Sequence, residues 1–386
     1  SARSWPATAV SSMPSAAEAY LESLSPWPEE FGLGRMRELL ERLGHPERRY
    51  PAVHVVGTNG KSTTASMTEA LLQAQGLRVG AYLSPHVVSW RERIRIDGAE
   101  VDLDALVDAV RTAGVEDATQ FEVLTAAALH GFAEADVAVA VVEAGLGGRL
   151  DATNVLDAKV VVLTNVGLDH SEHLGSTREE IAAEKLAVVP EGATVVLGEP
   201  EWEEAAKERG AGEIVFARGN RELAVAAASA FVGKPVEPGA ADSDALPGRF
   251  ELIGSAPLEI WDGAHNPEGV RFLLELLPER DYVLVCSVLA DKDVDAMLGL
   301  FSERSSHLVA TVSENPRVLP AQELARHGAA YFSEVEVVPD PVLALQRARE
   351  VAGPTGAVLV AGSLYLLTSL AAVRSGYVPW DTLATG

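Results

Sequence analysis

Short runs of β-branched and aliphatic residues recur along the chain, separated by stretches whose apolar positions follow helical spacing. In the first half, runs at 52–56, 79–83, 137–142, 160–165 and 194–197 predict strands, and 62–75, 103–112, 121–133 and 177–188 predict helices between them. The second half repeats the alternation, with strands expected at 258–261, 282–286, 308–312, 335–338 and 357–360. Such alternation belongs to parallel α/β domains, not to sandwiches or bundles. It lapses over 233–248, where Gly, Pro, Ala, Asp and Ser predominate, so this segment reads as a linker between two doubly wound domains.

Composition narrows the class. With 386 residues, the chain is too long for one ordinary core, and 47% hydrophobic with 23% charged residues is globular. The expected division is a disordered extension over 1–17, a first domain over 18–240 and a second over 241–386. Within the extension, residues 1–12 lack a signal-peptide core and Met13 is a candidate natural start. Asp and Glu number 56 against 31 Lys and Arg, a net charge of −25 that repels phosphate backbones and anionic lipid. Neither a nucleic-acid nor a membrane partner is expected, and an anionic substrate needs local cations or a metal. Cys286 is the single cysteine, so no intrachain disulfide or cysteine zinc cluster can form, which suits the expected cytoplasmic location. No apolar run approaches the roughly 20 residues of a membrane span.

The most informative segment is Gly57-Thr58-Asn59-Gly60-Lys61-Ser62-Thr63, a turn between an apolar strand and a helix. Glycines let backbone N–H groups approach phosphate oxygens, the helix N-terminus adds positive potential, and Lys61 supplies a mobile cation. Ser62 or Thr63 places a hydroxyl where Mg²⁺ would lie. The spacing is shorter than the general phosphate loop. Ser84-Pro85-His86 ends the second strand, where ligands bind in open α/β sheets. The following Arg91, Arg93 and Arg95 read first as a solvated strand face. Glu143 tips an apolar strand before Gly145-Leu146-Gly147-Gly148-Arg149-Leu150-Asp151; a buried carboxylate there wants a cation, and phosphate-bound Mg²⁺ is a candidate. An Arg149–Asp151 pair is the simpler account of that loop. Asp169 and His170 end the next strand, His170 being either a satisfied hydrogen-bonding residue or a metal ligand. Lys185, alone, reads as a surface lysine. In the second half, Asp262 and His265 precede a helix start at Asn266-Pro267, which suits either an Asx-turn or ribose and anion contacts. Ser363 closes the last strand in the same way.

In order and kind, these segments resemble the Mur ligase superfamily and, within it, the folylpolyglutamate synthase/dihydrofolate synthase family. The run Gly145 to Asn154 marks the folate branch, while the short phosphate loop marks the superfamily. The resemblance implies an N-terminal P-loop ATPase domain with a parallel sheet and a smaller C-terminal Rossmann-like α/β domain that serves glutamate ligation. ATP would phosphorylate a carboxylate of dihydropteroate or a folate, and the amine of L-glutamate would displace the phosphate. The expected nucleotide contacts are Gly57, Thr58, Asn59, Gly60, Lys61, Ser62, Thr63, Arg249 and Asp262, and the expected metal set is Ser84, Glu143, His170 and a carbamylated Lys185. Lys61, Lys185 and His265 are the expected catalytic residues, with His265 and Ser363 near the incoming glutamate. The implied protein is a monomer using ATP and Mg²⁺. Departures lie at Ser62-Thr63, where the family carries Gly-Ser, and over 190–231, which is shortened. There Gly219, Asn220 and Leu223 replace polar residues expected to read adenine, so base selectivity should be weak. A ligase with a different carboxylate acceptor, or a nucleotide binder without catalysis, are the alternatives.

Overall fold

The computed structural model describes residues 14–243 and 246–374. The chain divides into two compact units between residues 244 and 245. The larger holds eight strands: β1 (Ala52–Val56), β2 (Val79–Tyr82), β3 (Ile94–Ile96), β4 (Ala99–Glu100), β5 (Val139–Glu143), β6 (Ala158–Leu163), β7 (Thr194–Leu197) and β8 (Glu213–Phe216). Their order is β4-β3-β2-β5-β1-β6-β7-β8, parallel except for the β3–β4 hairpin. Every residue of β1, β2 and β5 is buried, as a sheet covered by helices on both faces requires. β1 lies between β5 and β6, which follow it in the chain, so strand order diverges at its carboxyl end and opens a crevice there.

The smaller unit adds β9 (Glu251–Ser255), β10 (Leu258–Trp261), β11 (Tyr282–Cys286), β12 (His307–Ala310), β13 (Glu334–Val337) and β14 (Ala357–Ala361). Their order is β13-β12-β11-β14-β10-β9, parallel except at β9. Each unit has its own apolar core. Among the described residues no helix is long and apolar enough to cross a membrane.

Three expectations need adjustment. Of the extension at 1–17, residues 1–13 lie outside the described residues, but Ser15 caps a helix over Ala16–Ser23 in a reciprocal box with Glu18, and Ala17 and Leu21 are buried. Arg95 is not solvated: it is 3% exposed and bridges buried Glu69 and Ser66, tying the β3 hairpin to the helix Lys61–Ala74. Arg149 pairs with Glu184 and not with Asp151, whose carboxylate is taken up by the backbone of its own loop.

Candidate active site

The phosphate loop leaves β1 at Gly57 and enters the helix Lys61–Ala74 through Gly60, whose φ of 78° favours a residue without a side chain. No side chain caps this helix, whereas Ser15, Asp102, Thr119, Thr177 and Asn266 cap others. Its first intrahelical bond runs from Thr64 N to Gly60 O, so the N–H groups of Lys61, Ser62 and Thr63 face the loop for an anion to use. Lys61 Nζ folds back to donate to Thr58 O at 3.1 Å.

The loop is held from the tip of β6. Asn165 Oδ1 accepts from Asn59 N at 2.9 Å, Asn165 O accepts from Thr58 N at 3.0 Å, and Thr164 Oγ1 donates to Asn59 O at 2.7 Å. A Cβ at Gly57 would stand 1.8 Å from Thr164 Oγ1, and one at Gly198, just past β7, 1.9 Å from Thr164 O. Thr164 and Asn165 escape a reading of the sequence because they sit a hundred residues from the loop they brace, in a motif whose Asp169 and His170 draw attention first.

Beneath the loop, Glu143 is 1% exposed at the tip of β5. Its Oε1 accepts from Ser62 Oγ at 3.0 Å and its Oε2 from Ser84 N at 2.9 Å, so three of the expected residues converge. A buried carboxylate beside a hydroxyl, below helix N–H groups, offers the hard oxygen donors that Mg²⁺ takes. Among the described residues no three His, Cys, Asp or Glu side chains gather into a metal-sized cluster. Of the expected set of Ser84, Glu143, His170 and Lys185, only Glu143 and His170 carry side chains of those types. Mg²⁺ suits such a site, because it keeps waters and binds through one or two carboxylates plus phosphate oxygens. His170 has a φ of 51°, a left-handed backbone uncommon outside glycine and asparagine, and its own N–H donates to Asp169 Oδ1 at 2.9 Å.

Lys185 is not a surface residue. It ends the helix Arg178–Lys185, is 3% exposed and donates from Nζ to Gly57 O at 2.8 Å. Burial, with help from the Lys61 charge, pulls its pKa down to about 7 against the opposing pull of Asp169, Asp151 and Glu184. The glycine turn after β5 closes over this helix end: Arg149 N donates to Glu184 O at 3.1 Å, and a Cβ at Gly148 would meet the carbonyl oxygens of Glu184 and Lys185 at 2.6 and 2.7 Å.

Leu223 is 2% exposed in the core, whereas Asn220 on the same helix faces the loop, its Oδ1 taking a 3.4 Å bond from Thr64 Oγ1.

In the smaller unit Asp262 follows β10 and accepts from Phe250 N at 2.7 Å and Ala264 N at 2.8 Å. Burial raises its pKa, while those N–H groups and the neighbouring Arg249 charge lower it. Asp262 and Arg249 are thus brought together. Gly362 N donates to Ala264 O at 3.0 Å, which joins the loop bearing His265 to the one bearing Ser363. His265 Nδ1 lies 2.8 Å from Gly263 O, and the Ser363 hydroxyl accepts from Tyr365 N to cap the last helix. Asn266 caps the helix that Pro267 begins, so the Asx-turn account of that segment holds.

Residues 55–234 match the family model of the Mur ligase middle domain, and residues 248–364 that of the Mur ligase, glutamate ligase domain. Fold and loop together therefore define a ligase of the Mur type. The dihydrofolate synthase/folylpolyglutamate synthase of Mycobacterium tuberculosis is 33% identical over 84% of this chain and 82% of its own length. Among solved structures, Escherichia coli FolC in complex with DHPP and ADP has a TM-score of 0.84 at 32% identity, covering 92% of this chain and 96% of that one. The bifunctional folylpolyglutamate synthase/dihydrofolate synthase of Yersinia pestis complexed with AMPPNP and Mn ion scores 0.82 at 32% identity, with the same coverages. The chain belongs to the folylpolyglutamate synthase/dihydrofolate synthase family.

Proposed function

We propose that this chain joins L-glutamate to the carboxylate of a pterin or folate acceptor, consuming ATP through an acyl phosphate. The observation that carries it is Glu143, buried under an uncapped helix N-terminus and gripped by Ser62 and Ser84 N. A desolvated carboxylate at that point calls for a bridging cation, since anion next to anion is unfavourable without one. Mg²⁺ bound there supplies charge neutralisation between Glu143 and the phosphate oxygens of ATP. Ser62, Ser84 and Glu143 would hold it, with His170 in a supporting place.

The phosphate loop N–H groups and Lys61 then bind and orient the transferred phosphate, whose charge grows on the equatorial oxygens. Lys185 fits a carbamate. With a pKa near 7, much of it is free amine at neutral pH; the nitrogen attacks CO₂, loses a proton and becomes an anion in place of a repelling cation. By likeness to the family, Arg249 and Asp262 are assigned to the nucleotide, and His265 and Ser363 to the incoming glutamate. Dihydropteroate, a folate, or both are the acceptors, by likeness to relatives whose names carry both activities.

The test is isotopic. With ¹⁸O in the acceptor carboxylate, one label should appear in the phosphate released during glutamate-dependent turnover. Unlabelled phosphate would remove the acyl phosphate from the mechanism.

Base selectivity should be weak, because Leu223 is buried and phosphate and ribose contacts carry most of the affinity. GTP is expected to support turnover, with kcat/KM below that of ATP by less than about a thousandfold, or roughly 4 kcal/mol. A larger preference would mean that other groups read adenine.

A further inference from the structure

His54 lies in the middle of β1, fully buried, in a strand otherwise made of Ala and Val. Ala52 and Val56, on the same side of the strand, belong to the main core. An imidazole in that position carries a desolvation cost that a valine would not. Burial pushes its pKa down to about 4, so the ring is neutral under working conditions. Nε2 lies 2.8 Å from Thr153 Oγ1, and Nδ1 has no partner among the described residues. The single hydroxyl proton of Thr153 goes to the Asp151 carboxylate. Thr153 Oγ1 must then accept from His54, which fixes the Nε2–H tautomer.

Asp151 accepts in addition from Leu146 N at 2.8 Å and Thr153 N at 3.0 Å, and its own N–H donates to Gly148 O at 3.1 Å. Donation therefore runs from His54 to Thr153 to Asp151, and Asp151 closes the glycine turn. That turn has no slack against the helix end that carries Lys185, because Gly148 sits within a methyl group's breadth of two of its carbonyls. The turn and the backbone of Lys185 are thus in direct contact.

We propose that His54 is a positioning residue: through Thr153 and Asp151 it fixes the glycine turn against the helix end of Lys185 and so sets where Lys185 Nζ lies. The kinetic consequence rests on the ligase reading above, whereas the structural relay does not.

The test pairs turnover with amide exchange. His54→Leu removes the donor and an unpartnered nitrogen together, so the unfolding midpoint should hold or rise. The amide of Leu146 should exchange faster, and kcat should fall about tenfold while KM for ATP stays within about twofold. His54→Gln, which keeps an N–H near the Nε2 position, should recover most of the loss. Adding Thr153→Val to His54→Leu should cost little more than either change alone, because both cut one chain. Unchanged Leu146 exchange, unchanged kcat in an active enzyme, or costs that simply add would each overturn the proposal. Should the wild type show no glutamate-dependent ADP release, the ligase reading fails and the exchange measurement still decides the relay. Should His54→Leu not fold, Thr153→Val carries the same two measurements one link further along.

Discussion

Replacing Lys61 with alanine is expected to lower turnover at least about a hundredfold, the usual cost of removing one preorganised charge from a transition state. The lysine is half-buried, its Nζ donates to the carbonyl of Thr58 within its own loop, and that loop is held by Asn165 and Thr164 without it. Stability should therefore be close to that of the wild type, which separates a catalytic loss from a folding loss. The measurement is glutamate-dependent ADP release beside a thermal melt. Survival within about tenfold, a loss under roughly 1.4 kcal/mol, would take the loop out of the catalytic account.

Lys185→Ala is expected to be nearly inactive, with partial recovery in acetate, because a small carboxylate fits the space of a carbamate. In the wild type, ¹³C-bicarbonate should give a carbamate resonance that the variant lacks. The pH dependence has a definite sign: the free amine is the reacting form, so activity governed by Lys185 should rise as pH increases through about 7. The same depressed pKa bears on stability in the unmodified protein. Between about 7 and the ordinary lysine value the unfolded chain holds a proton that the folded chain does not, so stability increases with pH across that window and is lowest below it. A full wild-type rate in bicarbonate-free buffer, together with no carbamate resonance, would defeat the carbamate assignment.

Much of the fold was legible because period-two and fully apolar runs are hard to mistake. β1, β7, β10 and β11 match the expected ranges, since each is dominated by β-branched, aliphatic and aromatic residues and bounded by turn residues. The β3–β4 hairpin, β8 and β9 carry charged residues among their apolar ones, and no such run announces them. The nucleotide side of the site was readable because a phosphate loop is contiguous: its glycines, lysine and hydroxyls lie within seven residues. What sequence hides is burial. Lys185 and Arg95 look like surface cations until the glycine turn covers one and Glu69 meets the other. Thr164, Asn165 and His54 act on partners about a hundred residues away, and no local spacing signals such a contact.

The interlock of Gly57, Thr164 and Gly198 bears on how such a ligase can diverge. Three strands meet there with no room for one added carbon at either glycine, so change at any of these positions demands concerted change at the others, and single steps are closed. The route left open to drift is the irregular loops elsewhere in the chain. Divergence in what is ligated can therefore proceed while the ends of β1, β6 and β7 stand still, and one inherited phosphate cradle can serve descendants with different acceptors.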